Sequence, residues 1–414
     1  MAGLYIHIPF CASRCIYCGF YSTTRPELRQ RYVDAVCREM EIRGKRLEVR
    51  GKRLEVRGEW REVRGEWREV RGERIALDTV YLGGGTPSQL TCEQLRQLFI
   101  YINKVYGLSL TGGQAPCKTS CEVTIEMNPD DVTDEYAAVL QQLPINRVSM
   151  GAQTFDDQRL RFLHRRHTAS QVMQAVDILR AAGIQNISID LMYGFPGETL
   201  SDWEHDIDAA LALDVEHISA YCLTIEEGTP LWRLKMKDEK LKMGDERLKM
   251  PGEELERAMY ERLMDKLTMA GYEHYEISNF AKPGYRSRHN SSYWHDVPYI
   301  GLGAAAHSYA PPYRLWNVAD IYSYMEAIEH GELPCEREFL DNNTHYNDRI
   351  ATALRTSDGL DLTALSEKHR SYCLKEAKQF IDDGLLRIDN ERIIITRKGL
   401  FVSDFIMSSL MFVE

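Results

Sequence analysis

Short β-branched runs alternate with amphipathic helical stretches over the first two-thirds of this chain, and that alternation restricts its fold more than any other feature. The strand-like runs are Leu4–Ile8, Thr79–Leu82, Glu122–Met127, Arg147–Gln153, Ile187–Met192 and His217–Leu223. Helix starts between them carry capping-box pairs: Thr91 with Gln94, Thr168 with Gln171, and Ser201 with Glu204. Each pair satisfies two backbone N–H groups that a helix start otherwise leaves open. Repeated strand-then-helix units imply right-handed crossovers and a parallel sheet. Six such units predict an α/β fold built as a partial (β/α)6 TIM-like barrel, not a closed eight-stranded one.

Two segments interrupt this pattern, each with a seven-residue period. From Glu41 to Ile75 the chain reads EIRGKRL, EVRGKRL, EVRGEWR, EVRGEWR, EVRGERI; from Leu234 it reads LKMKDEK, LKMGDER, LKMPGEE. A glycine in every unit of the first array costs about 1 kcal/mol each against alanine in a helix. The expectation is therefore a partly helical, solvated insertion. The division that follows is 1–233 for the partial barrel with its insertion near 41–75, 234–254 for the second insertion, 255–345 for a region completing the core, and 346–414 for a C-terminal domain. In that tail Leu362–His369 and Tyr372–Asp383 look helical, and Arg392–Thr396 follows the turn Asp389–Asn390. Two helices closed by a hairpin give a winged-helix-like α+β unit, expected here to pack or dock.

The formal charge of −11 argues against a nucleic-acid binder, since such domains are usually basic. No stretch approaches the roughly 20 apolar residues of a membrane span, and the start lacks the basic flank and cleavage site of a signal peptide. A cytoplasmic protein is expected, with transient membrane association left open. In a reducing compartment the ten cysteines are better explained by thiolate ligation than by disulfides wherever they cluster tightly. Seven are scattered and read as small apolar side chains; Cys117 and Cys121 share a four-residue spacing without a third partner.

Cys11, Cys15 and Cys18 do cluster, directly after the first strand, where a parallel sheet presents its functional loops. Iron–sulfur cubanes are held by cysteine thiolates, normally four. Three close ligands without a fourth leave one iron open, as a catalytic metal requires. Gly83-Gly84-Gly85-Thr86-Pro87 follows the second strand and lets the main chain approach a ligand closely. Glu126, Gln153, Arg165 and Asp190 place polar groups at or just after later strand ends, where a shared ligand accounts for all four.

The strings YIHIPFCASRCIYC, GGGTPS, EMNPD, GAQTF, IDLMYGFPGET and ISNFAKPGY together resemble the anaerobic coproporphyrinogen III oxidase-like radical S-adenosylmethionine (SAM) family, and most closely its HemW branch of heme chaperones. The resemblance implies a radical SAM barrel in which Cys11, Cys15 and Cys18 hold a [4Fe–4S] cluster. It further implies that Tyr5, Tyr17, Gly84 and Glu126 lie against the cluster-bound SAM, and that Gly85, Thr86, Gln153, Arg165 and Asp190 match contacts to a second SAM in the decarboxylating oxidases. Family chemistry is reductive cleavage of SAM. Two departures set this chain apart from those oxidases: Phe20 stands where they carry a fourth cysteine, and Tyr5 lies almost at the start, without their N-terminal extension. In exchange, His289-Asn290-Ser291-Ser292-Tyr293-Trp294 matches the HNxxYW motif associated with heme binding in the HemW branch. Imidazole is a common axial ligand to heme iron, and Tyr and Trp offer flat surfaces to a porphyrin. His289, Asn290, Tyr293 and Trp294 are thus the expected heme contacts, with His295 and His307 as reserve ligands. The implied function is heme delivery to an acceptor protein; the alternative is SAM-dependent decarboxylation of coproporphyrinogen III to protoporphyrinogen IX.

Overall fold

The computed structural model describes residues 2–49, 77–108, 121–241 and 249–413. Residues 50–75 of the first heptad array, 242–248 of the second, and Cys117 lie outside them. The strand–helix alternation appears as β1 (Ala2–Ile8), α1 (Arg29–Val49), β2 (Leu77–Gly84), α2 (Cys92–Tyr106), β3 (Glu122–Met127), α3 (Asp134–Gln142), β4 (Arg147–Gln153), α4 (Asp157–Phe162), α5 (Ala169–Ala181), β5 (Asn186–Tyr193), α6 (Leu200–Ala212) and β6 (His217–Cys222). Next come α7 (Pro230–Leu241), α8 (Glu253–Met269), β7 (Glu273–Glu276), β8 (Asn279–Ala281), α9 (Arg288–Trp294), β9 (Tyr299–Leu302), β10 (His307–Ala310), β11 (Tyr313–Asn317), α10 (Ile321–Glu329) and β12 (Cys335–Phe339).

Strands β1 to β6 run parallel and in chain order, as the six units require. The sheet then grows at both sides into the order β12-β11-β10-β9-β1-β2-β3-β4-β5-β6-β8-β7. Its ends do not meet, so the barrel stays open. Strand β9 adds a seventh parallel strand beside β1, while the outer strands are antiparallel. The stretch 272–313 looks irregular from sequence, yet it contributes β7 to β10 and α9. Its strands are only three or four residues long and carry little periodicity.

The two faces of the parallel strands differ sharply. Leu4, Ile6 and Ile8, Val80 and Leu82, Val123 and Ile125, Val148 and Met150, and Ile187 and Ile189 are buried in the main apolar core. The alternate positions carry Tyr5 and His7, Thr79 and Tyr81, Thr124 and Glu126, Ser149 and Gly151, and Ser188 and Asp190. Because successive side chains point to opposite faces, one face carries the core and the other is polar. Thr91 and Gln94 form the expected capping box at α2. At α6 the cap lies two residues earlier than expected. Thr199 accepts from the Asp202 N–H, and the Asp202 carboxylate accepts from the Thr199 N–H at 3.0 Å, so Ser201 and Glu204 fall inside the helix.

The tail contains α11 (Asn342–Ala353), β13 (Leu360–Asp361), α12 (Glu367–Asp382), β14 (Leu386–Asp389), β15 (Arg392–Ile395) and α13 (Ser403–Leu410) around its own apolar cluster. Helix, strand, helix and hairpin follow in the winged-helix order. The two helices expected from Leu362 to Asp383 are one helix preceded by a single tight turn, because Ser366 caps the start and nothing between it and Asp382 breaks the helix.

Candidate functional site: a cysteine-rimmed cleft at the strand ends

The loop after β1 is fixed at both ends and in its middle. Cys11 N–H donates to Thr23 O, and Ile16 is buried against Leu163, Met192, Phe195, Leu223 and Leu231. With Ile16 inserted, Cys11, Cys15 and Cys18 are left half-exposed along one wall of a cleft. Burial pushes the Cys11 and Cys18 thiols above their ordinary range, and cluster assembly requires their deprotonation. Thr86 Oγ1 donates to Cys11 Sγ at 3.6 Å, and Arg165 Nη1 lies 3.7 Å from Cys15 Sγ. Among the described residues no three His, Cys, Asp or Glu side chains converge as for a single ion. A cubane asks for something different, since each thiolate binds a separate iron.

The cleft is open to solvent at its mouth, and its space, that solvent included, comes to about 950 Å³. Tyr17, Gly84, Gly85, Thr86, Glu126, Gln153, Arg165 and Asp190 all line it with the three cysteines. Gly84 adopts φ +112°, and its N–H donates to Glu126 Oε2 at 3.0 Å. A Cβ on Gly85 would sit 2.8 Å from the Pro9 carbonyl carbon, so only glycine fits against the end of β1. Gln153 follows a register shift in β4 with φ +69°, which leaves it buried in the wall and contributing to the cleft lining. Arg165 Nη2 donates to Asn128 Oδ1 and Gly151 O, both at 2.7 Å, while its buried Nε has no partner among the described residues. Burial raises Glu126 to about 7 and Asp190 to about 6, against the hydrogen bonds from Tyr81 and Ser219 that favour their charged forms.

These residues fit the implied cofactors. The three free thiols, the cradle that a Cβ would fill and an unsatisfied guanidinium N–H suit a cluster beside a ligand with anionic and cationic ends. Tyr5 is the exception. It lies behind the cleft wall, its hydroxyl on His7 Nδ1 at 3.0 Å and its ring stacked with Tyr81 and His289. Two further polar residues escape a sequence reading. Tyr81 OH donates to Glu126 Oε1 at 2.7 Å. Arg147 is 1% exposed, with Nε and Nη1 unpaired among the described residues. The alternation Thr79, Tyr81, Gly83 along β2 was the available signal for the first, and a lone cation opening an apolar strand for the second.

The HNxxYW segment forms α9, capped by Ser287. It places His289 on the polar face of β1 and β2, not at the surface. His289 is 1% exposed; Nδ1 bonds Thr79 Oγ1 at 2.7 Å and Nε2 bonds Tyr293 OH at 2.8 Å. Burial, helped by the Arg147 charge, lowers it to about 3 and keeps the ring neutral. Iron ligation by His289 would therefore cost one of these bonds. Asn290, Tyr293 and Trp294 are half-buried, with the Trp294 ring 5.9 Å from that of Tyr275. His295 is also engaged, with Nδ1 on Ser291 O and Nε2 on Asp358.

The Radical SAM superfamily model matches residues 5–210, which carry the whole cleft, and the HemN C-terminal domain model matches residues 340–402. A Bacillus subtilis (strain 168) protein named heme chaperone HemW is 32% identical to this chain, covering 99% of each. The chain belongs to the HemW family. Another HemW relative, from Lactococcus lactis, is 31% identical over 95% of this chain and 93% of its own. The Escherichia coli (strain K12) HemW is 30% identical over 74% of this chain and 69% of its own. The solved structure of the Escherichia coli coproporphyrinogen III oxidase HemN superposes with a TM-score of 0.78 at 19% identity, covering 99% of this chain and 90% of that one. That likeness is one of fold. Among the described residues no helix of this HemW-family chain is long and apolar enough to cross a membrane.

Proposed function

We propose that this chain is a heme chaperone. It binds heme and a [4Fe–4S] cluster with SAM, and transfers heme to an acceptor protein in the cytoplasm. Cys11, Cys15 and Cys18 would hold the cluster, which when bound supplies one-electron chemistry to the SAM sulfonium. Gly84, Gly85 and Thr86 cradle the ligand by main-chain approach. Glu126 and Asp190 meet its cationic groups, Arg165 and Gln153 its polar ones, and Tyr17 closes the wall. Tyr5 acts from behind, holding His7 and stacking on Tyr81. On α9, Asn290, Tyr293 and Trp294 offer contacts to heme, and buried His289 fixes the Tyr293 hydroxyl.

The observation that carries this reading over porphyrinogen decarboxylation is Phe20. It sits at the cleft mouth 73% exposed, where the oxidases carry a further cysteine. A phenyl ring at that position supplies neither the thiolate ligand nor the redox-active thiol that a cysteine would. The test is anaerobic reconstitution with iron and sulfide, followed by hemin loading, gel filtration and transfer to an apo-heme protein. A Soret band that co-elutes and then moves to the acceptor supports carriage. Protoporphyrinogen formed from coproporphyrinogen III in the presence of SAM and reductant would overturn the chaperone-only reading.

A further inference from the structure

A second concavity lies where the C-terminal domain meets the barrel, and it shares no residue with the cysteine-rimmed cleft. Its walls come from α8 and β7 on the barrel side, and from the chain after α11 and the β14–β15 hairpin on the other. Main-chain bonds hold the two sides together: Ile277 N–H donates to Arg355 O at 3.1 Å, and Ser357 N–H to Tyr275 O at 3.0 Å. The concavity is open to solvent, and its space, that solvent included, comes to about 910 Å³.

Three guanidinium groups line it, those of Arg355, Arg387 and Arg397, against a single carboxylate, Glu276. Such a concentration of positive charge stands out in a chain whose formal charge is −11. Glu276 is 2% exposed and already engaged. Its Oε1 accepts from Arg355 Nε at 2.9 Å, and its Oε2 from the Ser278 N–H and Asn279 Nδ2. It therefore fixes Arg355 in place and leaves the other two arginines without a buried counter-charge. His274 adds no positive charge, because burial lowers its pKa while its Nε2 bonds the Ile277 carbonyl at 3.1 Å.

The other two arginines are held loosely. Arg397 meets Asp265 of α8 at 2.7 Å, and Arg387 meets Asp389 at 3.0 Å; all four side chains are more than half exposed. Pairs of this kind contribute about 0–1 kcal/mol and are screened by salt. Arg387 does not fasten the C-terminal domain to the barrel, since its partner lies two residues along its own strand. Domain docking thus accounts for Arg355 and Arg397 but not for Arg387. Like charges around one concavity repel each other, and a bound anion removes that cost. Thr268 and Ser357 line the same space, and among the described residues neither hydroxyl makes a hydrogen bond. One two-pronged guanidinium satisfies a carboxylate, whereas three arginines with hydroxyl donors suit a tetrahedral oxyanion carrying two charges.

We propose that this concavity binds a phosphate dianion, free or as a monoester, through Arg355, Arg387 and Arg397, with Thr268 and Ser357 as hydroxyl donors. The bound ion joins α8 to the β14–β15 hairpin and so tightens the C-terminal domain against the barrel. No covalent bond forms or breaks; the phosphate oxygens accept hydrogen bonds in place of water.

The test is isothermal titration of the full-length protein, at about pH 8 where phosphate is doubly charged and at low salt, with inorganic phosphate, glycerol phosphate and acetate. R387M and R397M each remove one exposed guanidinium and leave the Glu276–Arg355 pair intact; thermal melts check their folds. Wild type is expected to bind phosphate or its monoester, and the tighter of the two identifies the form the site takes. Each variant is expected to bind roughly tenfold more weakly, the effect of one charge-assisted hydrogen bond. Hydrogen exchange in residues 385–397 of the wild type should slow on binding. No binding by the wild type, or an unchanged affinity in folded R387M, overturns the proposal. Acetate bound as tightly as phosphate overturns the assignment to a dianion.

Discussion

Arg165 holds one guanidinium nitrogen 3.7 Å from the Cys15 sulfur while another grips the Gly151 carbonyl at 2.7 Å. One side chain thus ties the cysteine loop to the end of β4. Burial disfavours its charge, while Tyr17 and Cys15 favour it and prevail. Arg165→Met keeps much of the bulk and removes both bonds. We predict that anaerobically reconstituted R165M retains less iron per chain than wild type after gel filtration, with a weaker cluster absorbance and a near-native melt. Equal iron retention would mean that Arg165 does not support the thiolate.

Glu126 receives the Tyr81 hydroxyl and the Gly84 N–H, yet burial still raises it to about 7. A raised carboxyl binds its proton more tightly in the folded chain than in the unfolded one. Its contribution to stability is therefore full below the ordinary glutamate range and is lost as pH rises through about 7. Asp190, at about 6, acts with the same sign. In the cluster-free protein, the urea midpoint of wild type should fall more between pH 5 and pH 8 than that of E126Q. SAM carries cationic groups, so its affinity should rise over the same interval in wild type and stay flatter in E126Q, as isothermal titration can read.

The polar face of the barrel was legible in the strands themselves. Tyr5 and His7, Thr79 and Tyr81, and Ser188 and Asp190 alternate with apolar residues, where a parallel sheet buried on both faces would read as continuous hydrophobic runs. That alternation marks a wet interior. The strand ends then placed Gly84, Glu126, Gln153 and Asp190 at the cleft. What sequence could not supply was depth. His289 and Tyr5 carry site-like residue types, but the pairing of β9 with β1 and the packing of α9 put both behind the wall. Arg147 and Tyr81 owe their importance to neighbours on other strands, which no local pattern encodes.

His289 should matter for stability whatever its part in heme handling. His289→Ala leaves a void among Tyr5, Tyr81 and Tyr293 and strands the Thr79 and Tyr293 hydroxyls. A loss of about 2–4 kcal/mol is expected in urea unfolding. Its pKa of about 3 also fixes a pH sign. The unfolded chain takes up a proton near 6.5 that the folded one refuses, so stability falls as pH drops from about 6.5 towards 3. His289→Gln should lose less stability than wild type across that window, even if it starts lower.

Asp296 joins the loop after α9 to the C-terminal helix α11. Burial alone would raise its carboxyl, but hydrogen bonds from His345, Tyr309 and Arg349 outweigh that and hold it at about 2. A depressed carboxyl contributes stability that is present above its ordinary range and lost as pH falls through about 2. Asp296→Asn keeps the shape but removes the charge, leaving Arg349 half-buried beside a neutral amide. The expected cost is about 2–3 kcal/mol at neutral pH. Because these contacts fasten α11 to the loop between α9 and β9, hydrogen exchange should speed up first in residues 342–353 and 295–298 of D296N. Faster exchange throughout the barrel, without that local bias, would show that Asp296 serves global stability and not the docking of α11.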